Sequence, residues 1–203
     1  MHALIDSVSF DFDLIGIGIG APNANYHTGM IEAPANLWKF RDDEPNPDDS
    51  RRMFHFVDDI KASFPGVDVA ITNDANAAAL GEFLAGSAKG CRNAVAITLG
   101  TGVGGGVILG RQICHTENNM GEIGHIIIQA DGGRPCPCGQ EGCYEQYASI
   151  SALCRDAEIA ANKNIDSRLY EIYKENGKIT GRTFYAALKD NCPIAKEVYK
   201  KYL

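Results

Sequence analysis

Apolar residues fall in short, glycine-punctuated runs early in the chain and at helical spacing towards its end. The run LIGIGIG at 14–20 alternates aliphatic residues with glycine and breaks at Ala21-Pro22-Asn23, which predicts a buried strand ending in a turn. The acidic, proline-bearing stretch DDEPNPDDSRR at 42–52 predicts a surface loop, with Asp49 or Ser50 placed to cap a helix over about 53–63. Next, VDVAIT at 67–72 reads as a β-branched strand, and Asn73-Asp74 open an alanine-rich helix running to about residue 85. Polar SAKGCR at 87–92 marks the expected boundary between a lobe over 1–89 and a lobe over 90–203. Beyond it the pattern predicts a strand at 93–99, a glycine turn at 100–106 and a returning strand at 107–109. HIIIQ at 125–129 predicts another strand, followed by a Gly/Pro/Cys loop up to Cys143. From Tyr144 onward four stretches are helical in period: YEQYASISALCRDAEIAA, SRLYEIYKE, TFYAALK and PIAKEVYKKY. Strands alternating with helices and then giving way to them predict an α/β fold.

Composition narrows the classes. The 203 residues carry a net charge of -7 and contain no basic cluster, so nucleic acid and anionic membrane surfaces are poor partners. No apolar run approaches the roughly 20 residues of a membrane-spanning helix, and Asp6 and Asp11 interrupt what a signal peptide would need. Of the seven cysteines, Cys91, Cys114, Cys154 and Cys192 are scattered, whereas Cys136, Cys138 and Cys143 crowd one short loop. An odd number with one tight cluster fits cytoplasmic thiols plus a metal site better than a disulfide framework.

Three segments could carry chemistry. LGTGVGGG holds a G-x-G-x-x-G at Gly100, Gly102 and Gly105. A dinucleotide fold needs that motif to open a helix, and here it runs into Val107-Ile108-Leu109. No G-K-[ST] follows, which excludes a Walker loop as well. What remains is a glycine turn between strands, either a bare hairpin or one whose amides approach an anion. Asn73-Asp74 sit where a strand becomes a helix. They are good helix caps, and a carboxylate in that position can also accept a hydroxyl proton as its oxygen attacks phosphorus.

The cysteines are the strongest of the three signals. Cys136, Cys138 and Cys143 are spaced C-x-C-x4-C in a loop rich in glycine and proline, with little apolar content to order it. Zinc–thiolate bonds would supply that order, and three thiolates with one imidazole make a closed tetrahedral structural site. His125 is the nearest histidine in sequence and His115 its rival. Glu122 lies three residues before His125, and Glu145 two after Cys143. A metal in the loop would fix both against it.

Together GIGIGAP, ITNDANAAALGE, AITLGTGVGGGVILG and GEIGHIIIQADGGRPCPCGQEGCYEQYAS resemble the ROK family of sugar kinases and related repressors, across about 16–149. The fold this implies is the actin-like ATPase type, two ribonuclease-H-like lobes with a substrate cleft between them. By the resemblance, Asp74 is the catalytic base on the sugar's hydroxymethyl oxygen, and Asn73, Glu122, His125 and Glu145 bind sugar hydroxyls. Gly100, Thr101 and Gly102 match the turn on the nucleotide phosphates. His125, Cys136, Cys138 and Cys143 match the structural zinc site, with one His125 ring nitrogen left for the sugar. ATP with Mg²⁺ is the implied donor and a homodimer the implied assembly. The family's first D-x-G-G-T hairpin has no counterpart in residues 1–13, and its later adenine-binding elements lie beyond the region matched. The expectation is therefore an incomplete N-terminal lobe and a partial nucleotide site. The leading function is phosphorylation of a hexose, glucose first, at its terminal hydroxymethyl oxygen. The alternatives are an N-acetylhexosamine kinase, a non-catalytic sugar-sensing repressor, and an inactive fragment.

Overall fold

The computed structural model describes residues 7–8, 12–32, 53–115 and 121–203. The predicted loop at 42–52 with its caps Asp49 and Ser50, and the residues Asp6 and Asp11, lie outside them. Strands and helices are mixed as the α/β expectation requires. Contacts divide the chain into two compact units, Met1–Ala77 and Ala78–Leu203.

In the first unit β1 (Gly16–Gly20) runs parallel to β4 (Asp68–Thr72), in register from Gly16 opposite Asp68 to Gly20 opposite Thr72. The two strands therefore end side by side. β1 is half-buried rather than fully buried, with Ile19 against the core of Ala21, Ile31, Val57 and Ile71. A short antiparallel pair, β2 (Ile31–Glu32) and β3 (Met53–Phe54), covers the same core. That pairing corrects the predicted helix start at 53. Met53 and Phe54 are held extended by β2, so α1 begins later and spans Phe56–Ser63. Gly29 (φ +71°) accepts the Val57 N–H at 3.1 Å and leaves room for the Val57 side chain.

Helix α2 (Asp74–Ala85) follows β4 directly. Its later turns send Ala79 and Phe83 against Ile108, which draws the division between the units into α2, ahead of the predicted boundary at 89/90.

The second unit joins a sheet to a helical bundle. Its strands β5 (Ala94–Leu99), β6 (Val103–Leu109) and β7 (Gln112–Ile113) are antiparallel in the order 5-6-7. The glycine turn is shorter than the predicted 100–106. Gly104, Gly105 and Gly106 lie within β6 opposite Thr98, Ile97 and Ala96, so only Gly100–Gly102 turns the chain. Gly105 has to lack a side chain, because a Cβ there would strike Ile123.

HIIIQ is not a strand. Ile123–His125 is one 3₁₀ turn, and among the described residues the isoleucines after it make one bridge, Ile127 to Cys143.

The long predicted helix from Tyr144 breaks at Ser149 into α3 (Glu145–Ala148) and α4 (Ile150–Lys163). Ser149 turns extended and its hydroxyl accepts the Ala152 N–H at 3.0 Å, an N-cap inside the apolar pattern. Then come α5 (Arg168–Asn176), ended by Gly177 in the left-handed region, α6 (Gly181–Lys189) with a Thr180/Thr183 capping box, and α7 (Pro193–Tyr202) with Pro193 in its first turn. Leu153, Leu169, Ile172, Phe184 and Val198 fill the core of this bundle. Among the described residues, no helix is long and apolar enough to cross a membrane.

Candidate functional site

The parallel pairing of β1 and β4 brings the Ala21 turn and the Asn73-Asp74 pair together at the carboxyl ends of neighbouring strands, where open α/β sheets bind ligands. Ala21 N–H donates to the Thr72 carbonyl at 3.0 Å, and a Cβ on Gly20 would stand 2.8 Å from Ala77 Cβ. Glycine at that point lets the strand end approach the first turn of α2. Asn73 Oδ1 accepts the Ala75 N–H at 2.8 Å, so Asn73 caps the helix. Asp74 Oδ1 accepts the same N–H at 2.9 Å, which orients an exposed carboxylate. Its Oδ2 makes no hydrogen bond among the described residues.

In the second unit the remaining candidates gather around Val103, the first residue of β6. Its N–H donates to Glu145 Oε2 at 2.8 Å. Its carbonyl lies so close to Gly124 that a Cβ there would strike it, so the turn carrying Glu122 and His125 rests on the same residue. The Gly100–Gly102 turn precedes Val103 and is braced from two sides. Gly100 N–H donates to the Gly102 carbonyl at 2.9 Å, and the Gly100 carbonyl accepts the Ile150 N–H at 2.9 Å. A Cβ on Gly102 would collide with Glu145 Oε2. Gly100 and Thr101 are exposed. Glu122, half-exposed, has Oε2 3.9 Å from His125 Nε2. The turn and the pair of glutamates with a histidine are thus one connected structure.

The other nitrogen of His125 belongs to the cysteine cluster. His125 Nδ1 lies 3.6 Å from Cys136 Sγ, Cys138 Sγ lies 3.6 Å from Cys143 Sγ, and all four ligand atoms fall within 4.8 Å of one another. A tetrahedral zinc with Zn–S of about 2.3 Å and Zn–N of about 2.0–2.1 Å would set such edges at roughly 3.6–3.8 Å, which the two short edges match, and three thiols with one imidazole are a donor set that suits the ion. The imidazole is that of His125; His115 is not part of the group. Burial pushes the Cys143 thiol up to about 12, with Cys138 and Cys136 beside it adding to the effect. Exposed Cys138 is shifted down, chiefly by the Gln140 backbone N–H. A divalent cation would offset the burial of Cys143 by favouring its thiolate.

Sequence reading passed over the residues that close the back of this loop. Arg134 lies 2.9 Å from Asp156 Oδ2, stacks on the Tyr147 ring at 4.7 Å, and donates its backbone N–H to the Tyr147 hydroxyl at 2.9 Å. No motif spacing signals this arrangement; an arginine inside a glycine–proline loop, with an aspartate on α4, was its one trace.

A ROK family model matches residues 1–203. A glucokinase from Halalkalibacterium halodurans is 39% identical over 178 residues, which are 86% of this chain and 50% of the relative. The chain thus spans about half the length of the curated relatives it matches. Among solved structures, a ROK family glucokinase from Streptomyces griseus in complex with glucose and AMPPNP superimposes with a TM-score of 0.74 at 31% identity. It covers 99% of this chain and 62% of that one. A ROK family transcriptional regulator, a homologue of the E. coli MLC protein, superimposes with a TM-score of 0.71 at 25% identity, covering 93% of this chain and 43% of that one.

Proposed function

Because this chain belongs to the ROK family, we propose that it phosphorylates a hexose, glucose, at the terminal hydroxymethyl oxygen with ATP as donor. The observation that carries this reading is the convergence on Val103. One residue's peptide groups meet the Glu145 carboxylate and the Glu122–His125 turn directly after an exposed glycine turn. Carboxylates and an imidazole suit sugar hydroxyls, and an exposed glycine turn suits the close approach of phosphate oxygens.

In this reading Glu122, Glu145 and His125 Nε2 bind sugar hydroxyls, and Asn73 binds one beside Asp74. Asp74 takes the proton of the hydroxymethyl group as that oxygen forms its bond to the γ-phosphorus and the bond to the ADP oxygen breaks. Gly100, Thr101 and Gly102 hold the phosphates. When bound, Mg²⁺ supplies neutralising charge at the phosphates, and zinc on Cys136, Cys138, Cys143 and His125 Nδ1 supplies the cross-link that stiffens the loop. The same reading extends to a cytoplasmic dimer.

Calorimetric titration of the chain with glucose and with N-acetylglucosamine, paired with detection of ADP, tests the proposal. Asp74→Asn keeps an oxygen for the Ala75 N–H, so it should retain sugar binding and lose turnover by about 10²–10⁴-fold. Retained turnover would remove Asp74 as the base, and absence of any sugar binding would overturn the site. Tighter binding of N-acetylglucosamine would move the substrate to an N-acetylhexosamine. The likeness to the ROK transcriptional regulator favours sugar sensing as a second reading, and sugar binding without ADP formation would select it.

A further inference from the structure

Gln146 is a buried polar side chain, 8% exposed, that follows the third cysteine at the start of α3. Its Nε2 lies 3.5 Å from Cys136 Sγ and its Oε1 lies 3.1 Å from an Arg155 Nη1. A guanidinium only donates, so the oxygen of the amide must face Arg155 and the NH₂ must face the sulfur. Chemistry fixes this orientation, which amide geometry alone leaves open. The main-chain carbonyl of the same residue accepts from Arg155 Nη2 at 2.6 Å and from Arg134 Nη1 at 2.9 Å. Arg134 is in turn paired with Asp156 at 2.9 Å. Both carbonyl oxygens of Gln146 are therefore gripped by guanidinium groups, and its amide nitrogen is aimed at one ligand atom of the cluster.

Three thiolates on one divalent cation leave a net negative charge in a partly buried loop. A hydrogen-bond donor on one sulfur, backed by a cation, offsets that charge. We propose that Gln146 is a positioning residue for the metal site: it donates an N–H···S hydrogen bond to the Cys136 thiolate, and Arg155 holds the amide in the donating orientation. Gln146 sets how tightly the metal is held and how much charge this sulfur gives to it. The proposal rests on the cluster holding a metal.

The full chain is stripped with a chelator and titrated with zinc against a chromophoric competitor, then with cobalt(II) as a spectroscopic probe. Gln146→Met keeps the length and removes the donor, and Gln146→Glu keeps the acceptor for Arg155 and removes the donor. Both should weaken zinc binding by about 10–100-fold and move the sulfur-to-cobalt charge-transfer band to lower energy, because a sulfur without its hydrogen bond is a better electron donor. Arg155→Met, at an exposed position on α4, should shift the band the same way by a smaller amount, and Arg155→Lys should restore part of it. A parent chain that binds no cobalt overturns the metal site and this proposal with it. A parent chain that binds cobalt, beside variants with unchanged affinity and an unchanged band, overturns the role of Gln146 alone. Should the Gln146 variants fail to fold, an unchanged band in Arg155→Met overturns it just as directly.

Discussion

The backbone N–H of Val103 can be satisfied by either a carboxylate or an amide oxygen, and that makes this bond of Glu145 separable from the sugar contact proposed for it. Glu145→Gln retains an acceptor for Val103, so the glycine turn should stay in place while the charge offered to a sugar is lost. Glu145→Ala removes both. Calorimetry with glucose should find sugar affinity lowered by about 10-fold or more in each, the scale of a lost charge-assisted hydrogen bond. Nucleotide binding should fall only in Glu145→Ala, and equal loss in both variants would separate the turn from Glu145.

Cys143 is the second residue with a signed consequence. Its thiol stands at about 12, above the ordinary value of about 8.5 for an unfolded chain. Between those values the folded chain holds a proton that the unfolded chain releases. The stability this lends is full below about 8.5 and is lost as pH rises through about 12. A chelator-treated sample should melt at progressively lower temperature across that window. Metal binding runs the other way, because the ion displaces the proton. Zinc affinity should gain about one log unit per pH unit from this thiol alone, which competition titrations at pH 6, 7 and 8 would read.

At the scale of elements, the helix break at Ser149 carries both a cap and a link to the glycine turn, since Ile150 N–H reaches the Gly100 carbonyl. Ser149→Ala should destabilise the chain by about 1 kcal/mol, measured by urea denaturation. Helices α5 to α7 were legible from their apolar spacing, although α6 begins at Gly181, ahead of TFYAALK, where Thr180 caps it. The break at Ser149 was hidden, since the apolar spacing continues through it and the partner that draws the chain aside lies far away in sequence. HIIIQ failed for the opposite reason. Its β-branched run satisfies every local rule for a strand, but among the described residues its one bridge is Ile127–Cys143.

The glycines of β6 read as turn because glycine is the commonest turn residue. What needs Gly105 is the close approach of Ile123, a tertiary fact with no local signature. The cysteine cluster was the most legible part of the site, because ligand type and short spacing are local. Gln146 and Arg155 were not, because their relation to Cys136 exists only after folding.

At the scale of the whole molecule, β5 is the end strand of its sheet among the described residues. It shows Val95, Ile97 and Leu99 on one exposed face, at 62%, 51% and 54%. An unpaired edge carrying apolar side chains invites association. Light scattering should find concentration-dependent self-association of this chain, reduced by Val95→Lys; a monomer at all concentrations would oppose it. Composition could not see that Ala79 and Phe83 pack with Ile108, which puts the division between the units inside α2.

Gly102 and Glu145 occupy one volume: the space a Cβ would take at the turn is already filled by the carboxylate. A side chain at Gly102 therefore needs Glu145 to withdraw or shorten, whereas Glu145 can shorten while Gly102 stays glycine. In any set of related chains, a residue larger than glycine at the first position should occur only where the second has shortened. Drift at this pair should therefore run in one order, with the shortening at 145 preceding any enlargement at 102.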